Sequence, residues 1–203
     1  MFNLLKGKMP KTARELAHHG QTIRYHSQWN IAHWRADKNG VYHLIWDEQA
    51  IDRNILVDTG EQAILSAFFA TGMANFGAPP ANLYLALDSR ASLAEADTLA
   101  SLVELTKSGY ARKALVSSGT GAAGQDFYIN QPAAYYRADG KTVTWTAGED
   151  WLTAQKNINL VTDLTAVVDA ASKHLIASLT LSTTRLLMNT DKLDGSMYIG
   201  LSE

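Results

Sequence analysis

Apolar and polar residues alternate most clearly in the second half of the chain. Val143 and Trp145 alternate with threonines in segment 141–147, and this period of two is typical of a half-buried strand. Short apolar segments separated by turn residues predict an antiparallel β-sandwich, jelly-roll-like and mainly β with minor α. Further strands are predicted at 41–46, 82–89, 110–116, 126–130, 157–164, 174–182, 185–190 and 197–202.

Segment 57–72 has the period of a helix instead. Thr59 and Gln62 have the spacing of a capping box, Ile64 and Phe68 fall four residues apart, and Gly72 is placed to end the helix. The pattern predicts an amphipathic helix over residues 60–71. Shorter helices are predicted within 11–20 and after residue 92.

The first fifty residues follow neither period cleanly, although they contain three of the five tryptophans. We therefore expect an N-terminal docking arm over residues 1–52 and a helix plus β-sandwich body over 53–203. A chain starting near Asp52 should then fold without assembling. The aromatic residues of the arm are the candidate interface anchors, namely Tyr25, Trp29, Trp34, Tyr42 and Trp46.

The end of the chain has the alternation of a strand. Met197, Ile199 and Leu201 are separated by Tyr198 and Gly200. Chain ends fray unless a sheet or a core holds them. The pattern predicts a strand paired inside the sandwich, with pairing to a neighbouring subunit as the alternative.

Composition excludes several classes of function. The 203 residues are 46% hydrophobic and 19% charged, as in ordinary globular proteins. A net charge of −2 gives no basis for binding nucleic acid or an anionic membrane. Cysteine is absent, which excludes disulfides and thiolate sites. No apolar run reaches the roughly 20 residues of a membrane helix. We expect synthesis in a cytoplasm without export.

Candidate chemistry is sparse. Five of the six histidines lie in the first fifty residues, but their spacing matches no helical metal-binding pair. We expect no metal site, while a pH-sensitive interface remains open. The carboxylates near residues 47–58 single out no catalytic pair, the Gly-rich segment 117–126 lacks the context of a phosphate loop, and no nucleophile motif is present. We expect neither an enzyme nor a cofactor.

Aromatic residues of the second half allow one alternative, stacking on sugar rings. The candidates for such glycan contacts are Tyr128, Tyr135, Tyr136, Trp145 and Trp151.

The order of these signals resembles a broad group of tailed-bacteriophage virion proteins. The likeness spans residues 53–203 and comprises the helix opened by V-D-x-G, the segments 84–87, 96–104 and 109–112, a Gly-rich loop, and the ending D-x-L-x-G-S-M-Y-I-G-L-S. Segment 1–50 lies outside it. The resemblance implies a structural virion protein without a cofactor.

Several roles on a phage particle follow from this resemblance. The main expectation is a head decoration or cement protein, or a head–neck (collar) accessory protein, forming a homo-oligomer with capsid, portal, neck or tail proteins as partners. The alternative is a receptor- or glycan-binding tail or baseplate module. A sandwich-fold hydrolase ranks below both. The absence of repeats and heptads argues against a fibre.

Overall fold

The computed structural model describes residues 15–18, 21–69, 83–115, 128–130, 136–139, 142–170 and 173–202. These residues form two antiparallel sheets and one α-helix, so the mainly β prediction is confirmed. In chain order the elements are β1 (Glu15–His18), β2 (Gln21–Ala36), β3 (Tyr42–Ile51), β4 (Ile55–Leu56), α1 (Asp58–Phe69), β5 (Tyr84–Asp88), a 3₁₀ helix (Leu99–Ser101), β6 (Lys113–Ala114), β7 (Tyr128–Asn130), β8 (Tyr136–Asp139), β9 (Val143–Thr146), β10 (Trp151–Val161), β11 (Leu175–Leu187) and β12 (Lys192–Ser202).

The first sheet is built around β2 and β12. These strands pair without interruption, from Arg24 opposite Ser202 to Trp34 opposite Lys192. The other edge of β12 is covered by β9 and then β8, and the other edge of β2 by β1 and then β3. The C-terminal segment is therefore a central paired strand of the chain's own sheet, which confirms the prediction.

The second sheet has the order β4-β11-β10-β5-β6. The predicted Tyr-bearing strand is β5, which pairs with β10 from Tyr84 opposite Val161 to Asp88 opposite Asn157. This strand and the C-terminal strand β12, which carries Tyr198, thus lie in different sheets. The expected strand at 110–116 is shorter, because only Lys113–Ala114 pairs with β5.

Apolar side chains of both sheets share one core. Trp29, Trp145 and Trp151 are fully buried in it, together with Leu85 and Ile158. The two sheets approach closely at Gly195 of β12. A Cβ atom there would lie 3.1 Å from Ile158 Cδ1 of the opposite sheet and 3.4 Å from Leu85 Cδ1. A sandwich-like packing of two sheets follows.

The N-terminal segment is not a separate arm, which corrects the boundary at residue 52. Its strands β2 and β3 belong to the seven-stranded sheet, and Trp29 and Ile31 lie in the common core. The period of two was obscured because polar Ser27 and His33 also occupy buried inner-face positions. Residues 15–18 form a strand instead of the expected helix.

The predicted main helix is present as α1. Its first turn lies against β11, where Thr59 Oγ1 donates a hydrogen bond of 2.7 Å to the Leu175 carbonyl. A Cβ at Gly60 would lie 2.1 Å from the Ile176 carbonyl oxygen, so this close approach requires glycine. The amphipathic face of α1 stays a prediction, because side chains 65–69 lie outside the described set. The jelly-roll-like order of the strands also stays a prediction.

The short helix expected after residue 92 is instead a 3₁₀ turn at Leu99–Ser101. Thr98 and Ser101 cap this turn reciprocally. Within the described ranges, no helix is long and apolar enough to cross a membrane.

Candidate protein interface

Strand β3 forms an outer edge of the seven-stranded sheet. In the described part of the chain it pairs only with β2, so the other edge of this 10-residue strand has no strand beside it. Large apolar side chains are about half exposed on and beside this strand, namely Val41, Leu44, Ile45 and Ile51. An edge strand with exposed apolar side chains is a ready template for pairing with another chain.

One of the five predicted interface residues is buried, and the side chain of another lies outside the described set. The Trp29 side chain is fully buried against the core, so its expected role as an interface anchor is wrong. Burial follows from its inner-face position in β2, opposite Met197 of β12 and Ala50 of β3. The backbone of Tyr25 pairs with Leu201, and its side chain lies outside the described set.

Trp34 and Tyr42 lie together on the outer face of the same sheet. The Trp34 indole nitrogen donates a hydrogen bond of 2.8 Å to Asp194 Oδ2. The Tyr42 hydroxyl donates to the Thr190 carbonyl at 3.1 Å, and the Lys192 ammonium lies 3.7 Å from the centre of the Tyr42 ring. Both rings are half-buried, and their interface role stays a prediction.

Trp46 of β3 contacts Arg185 of β11, at a side of the sandwich where the two sheets come together. The Arg185 guanidinium lies 4.6 Å from the centre of the Trp46 ring. Two residues farther on, Glu48 accepts a hydrogen bond of 2.8 Å from the Ser182 amide and pairs with Arg53 at 2.9 Å. These contacts attach β3 to β11, while Leu44 and Ile45 of the same strand stay about half exposed.

A buried histidine and a carboxylate lie at one end of the core. His33 Nε2 is 2.9 Å from Asp191 Oδ2, and both side chains are at most 2% exposed. Asp191 also binds the Arg35 guanidinium at 2.7 Å and the Met188 amide at 2.9 Å. His33 Nδ1 has no hydrogen-bond partner among the described residues. The cluster therefore fixes the turn between β11 and β12, and among the described residues no nucleophile contacts the imidazole.

The pKa values of His33 and Asp191 are both lowered, which favours a neutral imidazole beside an ionised carboxylate. Burial lowers the pKa of His33 from its usual 6.5 and outweighs the opposing hydrogen bond and charge of Asp191. Burial opposes ionisation of Asp191, but hydrogen bonds from Arg35, the Met188 amide and His33 prevail, so the pKa of this carboxyl is lowered from 3.8.

We expect the free energy of unfolding to decrease as the pH falls below about 6.5, because the unfolded chain then binds a proton that buried His33 resists. Because the pKa of Asp191 is lowered as well, the free energy of unfolding should decrease further once the pH falls below the ordinary carboxyl value of 3.8. Urea unfolding between about pH 7.5 and about pH 5 measures the slope. His33→Gln should flatten it, whereas exposed His43→Gln should not. An unchanged slope in His33→Gln would contradict this assignment.

The segments 84–87, 96–104 and 109–112, which carry the resemblance, contact one another beside β5. The Tyr110 hydroxyl contacts Glu104 and accepts a hydrogen bond of 3.2 Å from the Leu87 amide. Buried Arg112 binds Glu104 at 2.6 Å and donates to the carbonyls of residues 163 and 166 at 2.8 Å. Burial, with Glu104 beside it, raises the pKa of Tyr110 well above its usual value. These contacts are structural.

A second buried polar network covers the outer face of the five-stranded sheet. The Arg90 guanidinium donates to Asp88 at 2.9 Å and to Asn159 at 2.8 Å. Asp88 also accepts from the amides of Asn157 and Asn159 at 2.7 and 2.8 Å, and all four side chains are buried. Sequence reasoning missed this network. The only signal is the pair of asparagines that alternates with Ile158 and Leu160 in β10.

A polar groove of about 290 Å³ crosses the outer face of the seven-stranded sheet. Ala32 lies at its middle, with Asp47 of β3 opposite it on one side and Asp194 of β12 on the other. Asn30 lies two residues before Ala32 on the same face of β2, between Gln49 of β3 and Ser196 of β12. Because Ala32 is short, its larger neighbours enclose a depression.

The remaining predicted chemistry is only partly visible. No group of three potential metal ligands occurs among the described residues. Trp145 and Trp151 are fully buried, so glycan stacking on these two rings is wrong. Their indole nitrogens donate to the carbonyls of Ala111 and Ser108 at 2.8 and 3.0 Å. The side chains of Tyr128, Tyr135 and Tyr136, and segment 117–126, lie outside the described set.

No protein-family model, curated protein or solved structure matches this chain, so no activity or partner is carried over to it from a relative.

Proposed function

We propose that the chain is a non-enzymatic structural protein of a tailed-bacteriophage virion, a head decoration or cement protein or a head–neck accessory protein. In this proposal it is made in the host cytoplasm and assembles with itself and with capsid, portal, neck or tail proteins. Its body is a jelly-roll-like sandwich. The motif order over residues 53–203 supports this assignment.

The observation that carries the proposal is the exposed edge of β3. Leu44 and Ile45 are 47% and 46% exposed there, beside a strand edge with no strand pairing in the described residues. A neighbouring subunit that adds a strand to this edge would satisfy the backbone groups and cover the apolar side chains. Tyr42 and Trp46 belong to the same strand, and their half-buried rings would add contact area to such an interface.

The contacts of β3 with the rest of the body favour assembly through this strand. Its inner face contributes Ala50 to the core, and Glu48 ties it to both Ser182 and Arg53. A surface held in this way loses little conformational freedom when a partner binds. We therefore assign the docking role that was expected of an N-terminal arm to β3, a strand of the body itself.

Charge on this edge should separate assembly from folding. Leu44→Glu with Ile45→Glu should keep the cooperative unfolding of the native chain, since both side chains are about half exposed. It should reduce incorporation into particles at least tenfold, because each buried charge without a partner opposes association. Complementation of a phage that lacks the gene, followed by immunoblotting of purified particles, measures incorporation.

Leu152→Glu is the matched control, because Leu152 is 76% exposed on the other sheet. It should be incorporated like the native chain. Normal incorporation of the Leu44→Glu, Ile45→Glu variant, with its unfolding unchanged, would contradict docking through β3.

A further inference from the structure

Hydrogen bonds within the chain hold the groove at Ala32 in a fixed arrangement. Asn30 Oδ1 accepts from Gln28 and Gln49 at 2.8 and 3.1 Å, which orients its amide nitrogen toward Ser196 at 3.4 Å. Asp194 accepts from the Trp34 indole at 2.8 Å and from the Thr144 hydroxyl. The groove therefore presents a carboxylate acceptor and an amide donor in set positions before any ligand arrives.

Both kinds of hydrogen-bonding group retain capacity for a ligand. The 3.4 Å contact from Asn30 to Ser196 is long, so the amide can donate to a shorter partner. Each Asp194 oxygen can accept more than one hydrogen bond. Asp47 is exposed and makes no hydrogen bond or ion pair within the described residues. Acceptors thus lie on both sides of one depression, and a donor lies on the strand between them.

The mixture of hydrogen-bond donors and acceptors in the groove matches a neutral hydroxylated ligand better than a cation. Lys192 lies on the same face two residues from Asp194, opposite Trp34, and its charge reduces attraction for a cation. A cation also has no use for the Asn30 donor, whereas a hydroxyl group both donates and accepts. The Ala32 methyl at the middle of the groove offers apolar surface to a ring's C–H groups.

We propose that this groove binds a single saccharide ring. Asp47 and Asp194 accept hydrogen bonds from sugar hydroxyls, Asn30 donates to one, and the ring lies over Ala32. The volume of about 290 Å³ is at the lower end of small-ligand sites, about 300–1,000 Å³, which suits one ring and not an extended chain. This function is additional to the structural role and does not depend on it.

Nuclear magnetic resonance of the full chain tests the proposal with a panel of neutral probes: glucose, galactose, mannose, rhamnose and N-acetylglucosamine. At least one should shift the Trp34 indole and Asn30 side-chain amide signals, with a dissociation constant of about millimolar. Asp47→Ala should weaken binding roughly tenfold. Ala32→Gln, which fills the depression, should abolish it. Glu95→Ala, another exposed acidic residue, should bind like the native chain.

Two results would overturn the proposal. One is the absence of signal changes at Trp34 and Asn30 with every sugar of the panel. The other is a response to methylguanidinium that salt suppresses, without a response to any sugar, which would make the groove a cation site. Leu44→Glu with Ile45→Glu should bind the sugar normally, so failure of β3 docking and failure of this site remain distinguishable.

Discussion

A chain that begins at Asp52 should not fold, in contrast to the expectation from the sequence. It would lack β2 and β3, so β12 would lose its partner along Lys192–Ser202 and the core would lose fully buried Trp29. Truncating one buried tryptophan alone costs about 3–5 kcal/mol, and whole domains are stable by only about 5–15 kcal/mol. Circular dichroism and amide NMR spectra of the truncated chain measure the outcome.

A chain that begins at Glu15 is the control, because it retains every described strand and should unfold cooperatively. A dispersed amide spectrum and cooperative unfolding of the chain beginning at Asp52 would contradict the assignment of β2 and β3 to the body. They would restore the docking arm as a separate unit.

Asp88→Ala should lower the free energy of unfolding by about 3–5 kcal/mol, the usual cost of removing one partner from a buried ion pair. Arg90 would keep a buried charge, with Asp97 at 2.8 Å still beside it, and the amides of Asn157 and Asn159 would each lose an acceptor. Urea unfolding followed by tryptophan fluorescence measures the change.

Asp88→Asn should cost less, since the amide oxygen still accepts a hydrogen bond. Glu95→Ala, at an exposed position a few residues after Arg90, should change stability by less than about 0.5 kcal/mol. A cost below about 1 kcal/mol for Asp88→Ala would show that the network contributes little to stability.

The strands that sequence could predict are those with an uninterrupted inner face. In β9, Val143 and Trp145 are buried while Thr144 and Thr146 are exposed, so the alternation is visible along the chain. In β12, Leu193, Gly195 and Met197 face inward by the same rule. Sequence therefore predicted the paired C-terminal strand and the β-rich class correctly.

The N-terminal strands were missed because distant partners satisfy their buried polar residues. Ser27 lies on the inner face and hydrogen-bonds to Asn54, while His33 binds Asp191 at 2.9 Å. His33 and Asp191 are 158 positions apart in sequence. Local periodicity treats such residues as outward-facing, since it contains no information about a distant partner. The same segment therefore resembled an arm.

The candidate sites depend on tertiary placement for a similar reason. Tyr42 and Trp46 could be selected by residue type, but their position on an edge strand follows only from pairing with β2. The groove requires Ala32 of β2 to lie between Asp47 of β3 and Asp194 of β12. These three residues come from three different strands. No local motif marks that juxtaposition.

The proposed role as a virion component is tested most directly by quantitative mass spectrometry of gradient-purified particles, from a phage whose genome encodes the chain. We expect the chain to be present at a fixed ratio to the major capsid protein. A copy number in the hundreds would indicate a shell protein, and roughly a dozen a neck protein. Absence from intact particles, with the chain abundant in the lysate, would contradict a role in the virion.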